Sequence, residues 1–123
     1  VHKTLKKIIA NGKKISKSNV LLLGSTFKEN CSDFRNSKVI DIYHHLKDYM
    51  VKTDIYDPLI NGDDFFREFG IRIISDLKKY DAIIITVPHK EFLNINLQKL
   101  MKDEKTVVFD VKGLYKNPKY IQL

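Results

Sequence analysis

A single cysteine, Cys31, in 123 residues excludes an intrachain disulfide framework and any zinc cluster built on cysteines. No apolar run approaches the roughly 20 residues of a membrane-spanning helix, which excludes insertion through such a helix. The first 19 residues mix lysine with isoleucine and leucine and lack the continuous apolar core of a secretion signal. The expected setting is therefore the reducing cytoplasm, with no membrane partner. Those 19 residues also lack any acid; their six lysines account for most of the net charge of +7. The rest of the chain carries 16 basic and 15 acidic side chains, so the basicity belongs to a tail. Such a tail is a solvated face, or the end of a helix continuing upstream, more often than a phosphate-binding surface. Arginine is scarce as well, 3 of 22 basic residues, which argues against base-specific contact with nucleic acid. The chain starts on valine rather than methionine, as expected of a piece of a longer protein.

What is present is the composition of a folded domain, 43% hydrophobic and 30% charged. Val1, Leu5, Ile8 and Ile9 recur at helical spacing, Asn11-Gly12 is a stop, and residues 13–18 read as a linker. Residues 19–23 form a short apolar run closed by Gly24, the pattern of a strand buried on both faces. A helix capped by Asn36 or Ser37 follows, with Val39, Ile42, Tyr43 and Leu46 on one stripe. Residues 53–56 are a second strand closed by Asp57-Pro58, and residues 63–69 a short helix stopped by Gly70. Residues 71–74 are expected as a third strand and 76–79 as a turn of helix. Residues 82–87, β-branched and uninterrupted, are the strongest strand. Pro88 opens a helix with Phe92, Leu97, Leu100 and Met101 inward, residues 106–110 form a fifth strand, and 120–123 add an edge. Alternating strands and helices with apolar central strands predict a three-layer α/β/α sandwich around a mainly parallel, five- or six-stranded Rossmann-like sheet.

In such a sheet, ligands bind beyond the carboxyl ends of the strands, where the strand order reverses. The longest loop there spans residues 24–37. Phe27 offers a flat apolar face, Lys28 an ammonium and Arg35 a guanidinium beside a helix start. An aromatic ring and cations beside free backbone amides suit a nucleotide, with a base to stack and phosphates to neutralise. The same residues also suit a core ring and two surface charges. Lys112-Gly113, after the last main strand, adds a second cation toward the same crevice.

Three motifs stand in order: Gly24-x-x-Phe27-Lys28 continuing through Asp33-x-Arg35-x-Ser37, then Tyr56-Asp57-Pro58, then Phe109-Asp110-x-Lys112-Gly113. Together they resemble the C-terminal UDP-binding domain of the UDP-glucose/GDP-mannose (nucleotide-sugar) dehydrogenases. Residues 26–38 are most similar to the bacterial UDP-N-acetylhexosamine dehydrogenases of capsule and O-antigen synthesis. The resemblance covers residues 19–123 and implies a UDP-sugar-binding domain of an NAD-dependent oxidoreductase, with residues 1–18 as the end of a central dimerisation helix plus linker. It implies that Phe27, Lys28, Asp33 and Lys112 contact the UDP-sugar and that Arg35 approaches NAD, held mainly by an N-terminal domain. The family position matching Lys112 is usually arginine; lysine there turns a bidentate contact into a point charge. The family reaction is two hydride transfers to NAD through a thiohemiacetal and a thioester on a cysteine of the central domain. That cysteine's glycine-rich segment is absent here, so Cys31 is not its counterpart. No catalytic residue and no metal site is expected in this chain. Its expected partners are the UDP-sugar, the enzyme's own N-terminal and central domains, and a second copy in a homodimer.

Two other classes fit the residues less well. A stand-alone NAD-binding Rossmann domain would use Asp57 on the ribose, but the turn over residues 24–29 lacks the second and third glycines. A receiver-like signalling module would use Thr86 and Lys112, but needs acids after the first strand where Thr26 and Lys28 stand. His89, at a strand end near the crevice, reads as a positioning residue at most.

Overall fold

A computed structural model of the chain describes residues 6, 14, 17–26, 28–35, 37–110 and 112–121. The expected amino-terminal helix stop at Asn11-Gly12, most of the linker, Phe27 and Asn36 lie outside the described residues. Within them the order is β1 (Asn19–Leu23), α1 (Val39–Asp48), β2 (Lys52–Tyr56), α2 (Gly62–Phe69), β3 (Ala82–Ile85), two 3-10 turns (Lys90–Asn94 and Leu97–Leu100) and β4 (Val107–Phe109).

All four strands run parallel in the order β2-β1-β3-β4. Because alternate strand residues point to opposite faces, a strand covered on both sides must be apolar throughout. Val20 and Leu22 of β1, Ala82 and Ile84 of β3, and Val107 and Phe109 of β4 join one buried cluster with Val39 and Leu46 of α1 and Phe65 of α2. Leu21, Leu23, Ile83, Ile85 and Val108 join a second cluster with Phe92, Leu97 and Leu100 of the 3-10 turns. The two α-helices thus cover one face and the 3-10 segment the other, giving the Rossmann-like α/β architecture that the sequence implies. β2 is an edge strand in which only Ile55 is fully buried, as its mixed sequence Lys-Thr-Asp-Ile-Tyr dictates.

Local signals account for the helices. Val39 and Leu46 are buried, with Ile42 and Tyr43 packed beside them, which is the predicted stripe of α1. The N-cap residue is Lys38, one later than predicted; the Ser37 hydroxyl accepts from the Val39 amide at 3.3 Å. α2 starts at Asn61, whose side chain accepts from the amides of Asp63 and Asp64, and ends at Gly70 with φ 69°.

Three expectations need correction. Residues 71–74 are not a strand: Ile71 is buried and Ile73 and Ile74 are half-buried, but the segment makes one backbone bond to β2, from the Ile74 amide to the Ile55 carbonyl at 2.9 Å. Its apolar side chains plug the sheet edge without a ladder. The helix expected after Pro88 is two 3-10 turns. Asn94-Ile95-Asn96 interrupts it, and the Asn96 side chain accepts from the Gln98 amide, offering the backbone a turn in place of a helical bond. Residues 76–79 are not helical either. The sheet therefore has four strands, with Ile121 adding one parallel bridge to Phe109 at the outer edge of β4.

Candidate functional site

Strand order reverses between β1 and β3, and the loops after these two strands cross in contact. Gly24 has φ 101°, and a Cβ there would sit 2.6 Å from the Cβ of Val87 and under 3 Å from its backbone. Only glycine lets the two loops pass this closely. The Leu23 carbonyl accepts from the amides of Thr86 and Val87, at 2.9 and 3.1 Å, and the Thr86 hydroxyl also donates to it at 2.7 Å.

Behind the crossing lies a buried polar cluster. Asp57, at the end of β2, accepts on Oδ2 from the Ser25 amide at 2.7 Å and the Ser25 hydroxyl at 3.2 Å, and lies 3.0 Å from His89 Nε2. Its Oδ1 accepts from the Leu59 amide at 2.9 Å. Burial opposes ionisation of Asp57, but hydrogen bonds from His89 and from the Ser25 and Leu59 amides outweigh it and hold the carboxyl below the usual carboxylate range. With these oxygens engaged inward and the residue buried, Asp57 is not presented to a ribose, which removes the feature that favoured a stand-alone NAD domain. Asn30, with φ 58°, donates its amide to His89 Nδ1 at 2.9 Å and accepts from the Lys90 amide at 2.9 Å.

The loop after β4 is shaped by a second buried carboxylate. Asp110 accepts from the amides of Leu114 and Tyr115, both at 2.8 Å, while its carbonyl takes the Gly113 amide at 3.0 Å. Lys112 is carried outward on this turn.

These loops place the predicted residues in two separate concavities. Lys28 and Lys112 share a groove of about 370 Å³, which is also lined by Thr26, Thr86, Lys38 and Val39. Three lysines, Lys28, Lys38 and Lys112, line it against one acidic residue, Glu29, and the amino-terminal end of α1, whose N-cap supplies no side-chain hydrogen bond, borders the same space. Helix dipole and lysines act in the same sense there, toward an anion. Asp33 and Arg35 are elsewhere, beside a second groove of about 480 Å³ lined also by Phe34, Asp64 and Arg67. They pair bidentately, Nε to Oδ1 at 3.0 Å and Nη2 to Oδ2 at 3.1 Å, and Asp33 also caps the Arg35 amide at 2.9 Å. The guanidinium bonded to it lowers the Asp33 carboxyl, and the carboxylate in turn raises Arg35. Arg35 remains 82% exposed despite the pair. Phe34 lines this second groove, with its ring 5.3 Å from Phe65 and 6.0 Å from Phe69, both of α2. A larger concavity, about 760 Å³, lies beside the start of β4, away from all of these residues.

Sequence reasoning missed the roles of Ser25, Thr26, Asn30 and Asp110. The two aspartates stood in view as the residues that end β2 and β4; nothing local marked their partners. Among the described residues no group of three or more histidine, cysteine or acidic side chains could hold a metal ion, and no helix is long and apolar enough to cross a membrane.

Comparison with known proteins gives a consistent answer. The chain is 39% identical over 112 residues to the UDP-N-acetyl-D-glucosamine 6-dehydrogenase of Salmonella typhi, covering 88% of this chain and 26% of that protein. It is 44% identical over 100 residues to the enzyme of the same name from Pseudomonas aeruginosa, covering 77% and 24%. The chain thus spans about a quarter of the length of these relatives. In fold it is similar to the UDP-D-ManNAc dehydrogenase structure from Pyrococcus horikoshii, with a TM-score of 0.75 at 19% identity, over 99% of this chain and 28% of that one. Residues 21–117 match the profile of the UDP-glucose/GDP-mannose dehydrogenase family, UDP binding domain, and the chain belongs to that family.

Proposed function

We propose that residues 19–123 form the UDP-sugar-binding domain of an NAD-dependent dehydrogenase that oxidises a UDP-hexose or UDP-N-acetylhexosamine to the uronic acid for polysaccharide synthesis. In this reading residues 1–18 belong to the end of a central helix and its linker, and the working enzyme is a homodimer completed by amino-terminal and central domains. The observation that carries it is the convergence of Lys28, Lys38 and Lys112 with the α1 terminus on one groove at the strand-order reversal. That groove suits a pyrophosphate: a compact, strongly anionic group met by point charges and backbone amides. Phe27, next to Lys28, is assigned to the uridine base or sugar.

Asp33, expected among the UDP-sugar contacts, lines a different groove from Lys28 and Lys112, and in this reading it contributes through Arg35 instead. Its carboxylate fixes the direction of the guanidinium and leaves much of it exposed to an anionic partner. Arg35 is the residue here that suits a phosphate of NAD. The turn after β1 carries one glycine and bends over a crossing loop, so this chain cannot cradle a dinucleotide pyrophosphate as a glycine-rich turn does. NAD supplies the hydride acceptor when bound, and this chain's share is to hold the substrate's nucleotide end and to offer Arg35 at the boundary. Hydride transfer itself is assigned to residues outside the chain.

Titration of the full-length protein with UDP, a UDP-N-acetylhexosamine, GDP and NAD tests this reading. Preference for uridine ligands, with signals of Lys28 and Lys112 shifting, is expected. Tighter binding of GDP than UDP, or no response at Lys28 and Lys112, rejects the site.

A further inference from the structure

His89 is fully buried where the loops after β1, β2 and β3 meet, and none of the ligand contacts assigned above uses it. Its Nδ1 lies 2.9 Å from the Asn30 amide nitrogen. A backbone amide only donates, so Nδ1 carries no proton and the ring proton sits on Nε2. That nitrogen faces Asp57 Oδ2 at 3.0 Å and Thr26 Oγ1 at 3.2 Å. The Thr26 hydroxyl commits its own proton to the Lys28 carbonyl at 2.8 Å, so toward His89 it can only accept. The donors therefore run in one direction: Asn30 to His89, His89 to Asp57 and Thr26, Thr26 to Lys28. Both ends of this relay are backbone groups of the loop that carries the lysine, and its middle is anchored on the buried carboxylate of Asp57, just after β2.

We propose that His89 is a positioning residue which, as the neutral imidazole protonated on Nε2, fixes the backbone at Lys28 and Asn30 and so directs the Lys28 ammonium into the phosphate-binding groove. The inference rests on the nucleotide reading of that groove. A histidine serving only to fill space needs neither a defined tautomer nor a polar partner on each nitrogen. Here both nitrogens have partners, and they lie on two different loops.

The test uses the full-length protein, with UDP as the probe. In the wild type, imidazole nitrogen NMR is expected to show the His89 proton on Nε2 and a bare Nδ1; a proton on Nδ1 overturns the proposal whatever the variants do. His89→Ala is expected to weaken UDP binding roughly tenfold, the size of a lost buried hydrogen bond felt through Lys28. His89→Asn, whose side-chain oxygen can replace Nδ1 as acceptor for the Asn30 amide, is expected to recover most of that loss. A purely structural role predicts that the two variants bind UDP alike when compared at equal Tm, and that result overturns the proposal. Should His89→Ala not fold, Thr26→Val keeps the shape and removes the hydroxyl that links His89 Nε2 to the Lys28 carbonyl, leaving the Asn30 and Asp57 contacts of His89 in place; wild-type UDP affinity in that variant is equally fatal. Binding that is sensitive to Lys28→Ala but indifferent to His89→Ala rejects this inference alone. Absence of UDP binding in the wild type rejects the nucleotide reading and the inference together.

Discussion

The segment from Ser25 to Arg35 is held at its two ends by carboxylates in opposite circumstances. At the near end Asp57 meets His89 with both side chains fully buried, and two backbone amides and a hydroxyl complete its shell. At the far end Asp33 meets Arg35 in a bidentate pair that solvent reaches freely, at 41% and 82% exposure. The distances are nearly equal, 3.0 Å in each case. What differs is the alternative open to each group. Water can replace the partner of Asp33, whereas nothing replaces the partners of Asp57. Equal geometry therefore carries unequal stability, and the exposed pair is left available for a ligand's charge.

The strongest way to break this comparison is Asp57→Ala. It strands the Ser25 and Leu59 amides and His89 Nε2 in the interior, and denaturant unfolding should show a loss of about 3–5 kcal/mol. Next comes Lys28→Ala, expected to leave Tm almost unchanged while weakening UDP binding ten- to a hundredfold by calorimetry, the range for a charge-assisted contact. Acid titration sharpens the contrast. The Asp57 carboxyl is held below its unfolded value by hydrogen bonds that outweigh burial, so its stabilisation is present above the unfolded pKa of about 3.9 and is lost as pH falls through the lower folded value. Relative to Asp57→Asn, the wild type should show the steeper loss of stability below about pH 4. The smallest effect is expected at the exposed pair. Arg35→Ala should leave the unfolding midpoint almost unchanged, and added salt should erase even that small shift. A loss at Arg35 as large as that at Asp57 would remove the distinction between the two ends.

Much of the architecture is legible because burial writes itself into local pattern. The unbroken apolar runs of β1 and β3, the stripe of α1 and the Gly70 stop each state their role within a few residues. Residues 71–74 look like a strand for a sound reason, since three isoleucines do enter the core, but burial does not require a ladder. Residues 90–100 mislead through Asn94 and Asn96, whose side chains favour turns wherever the tertiary context leaves the choice open. The site divides the same way. Lys28 and Lys112 are visible as cations in loops that follow strands, although β3 stands between the two strands they follow. Asp33 and Arg35 look like neighbours of Lys28, and only the path of the chain past Phe34 takes them to another groove. The Asp57 cluster joins residues 32 apart in sequence, and the His89 contact to Asn30 spans 59, so no window of sequence contains either.

The ring of Phe34, packed against Phe65 and Phe69, has a consequence for the charges beside it. It ties the backbone between Asp33 and Arg35 to α2, so the exposed ion pair takes its position from an aromatic contact rather than from its own attraction. Scaffold and charge are mechanically separate at this end: either side chain of the pair can change while the chain that carries it stays docked on the helix.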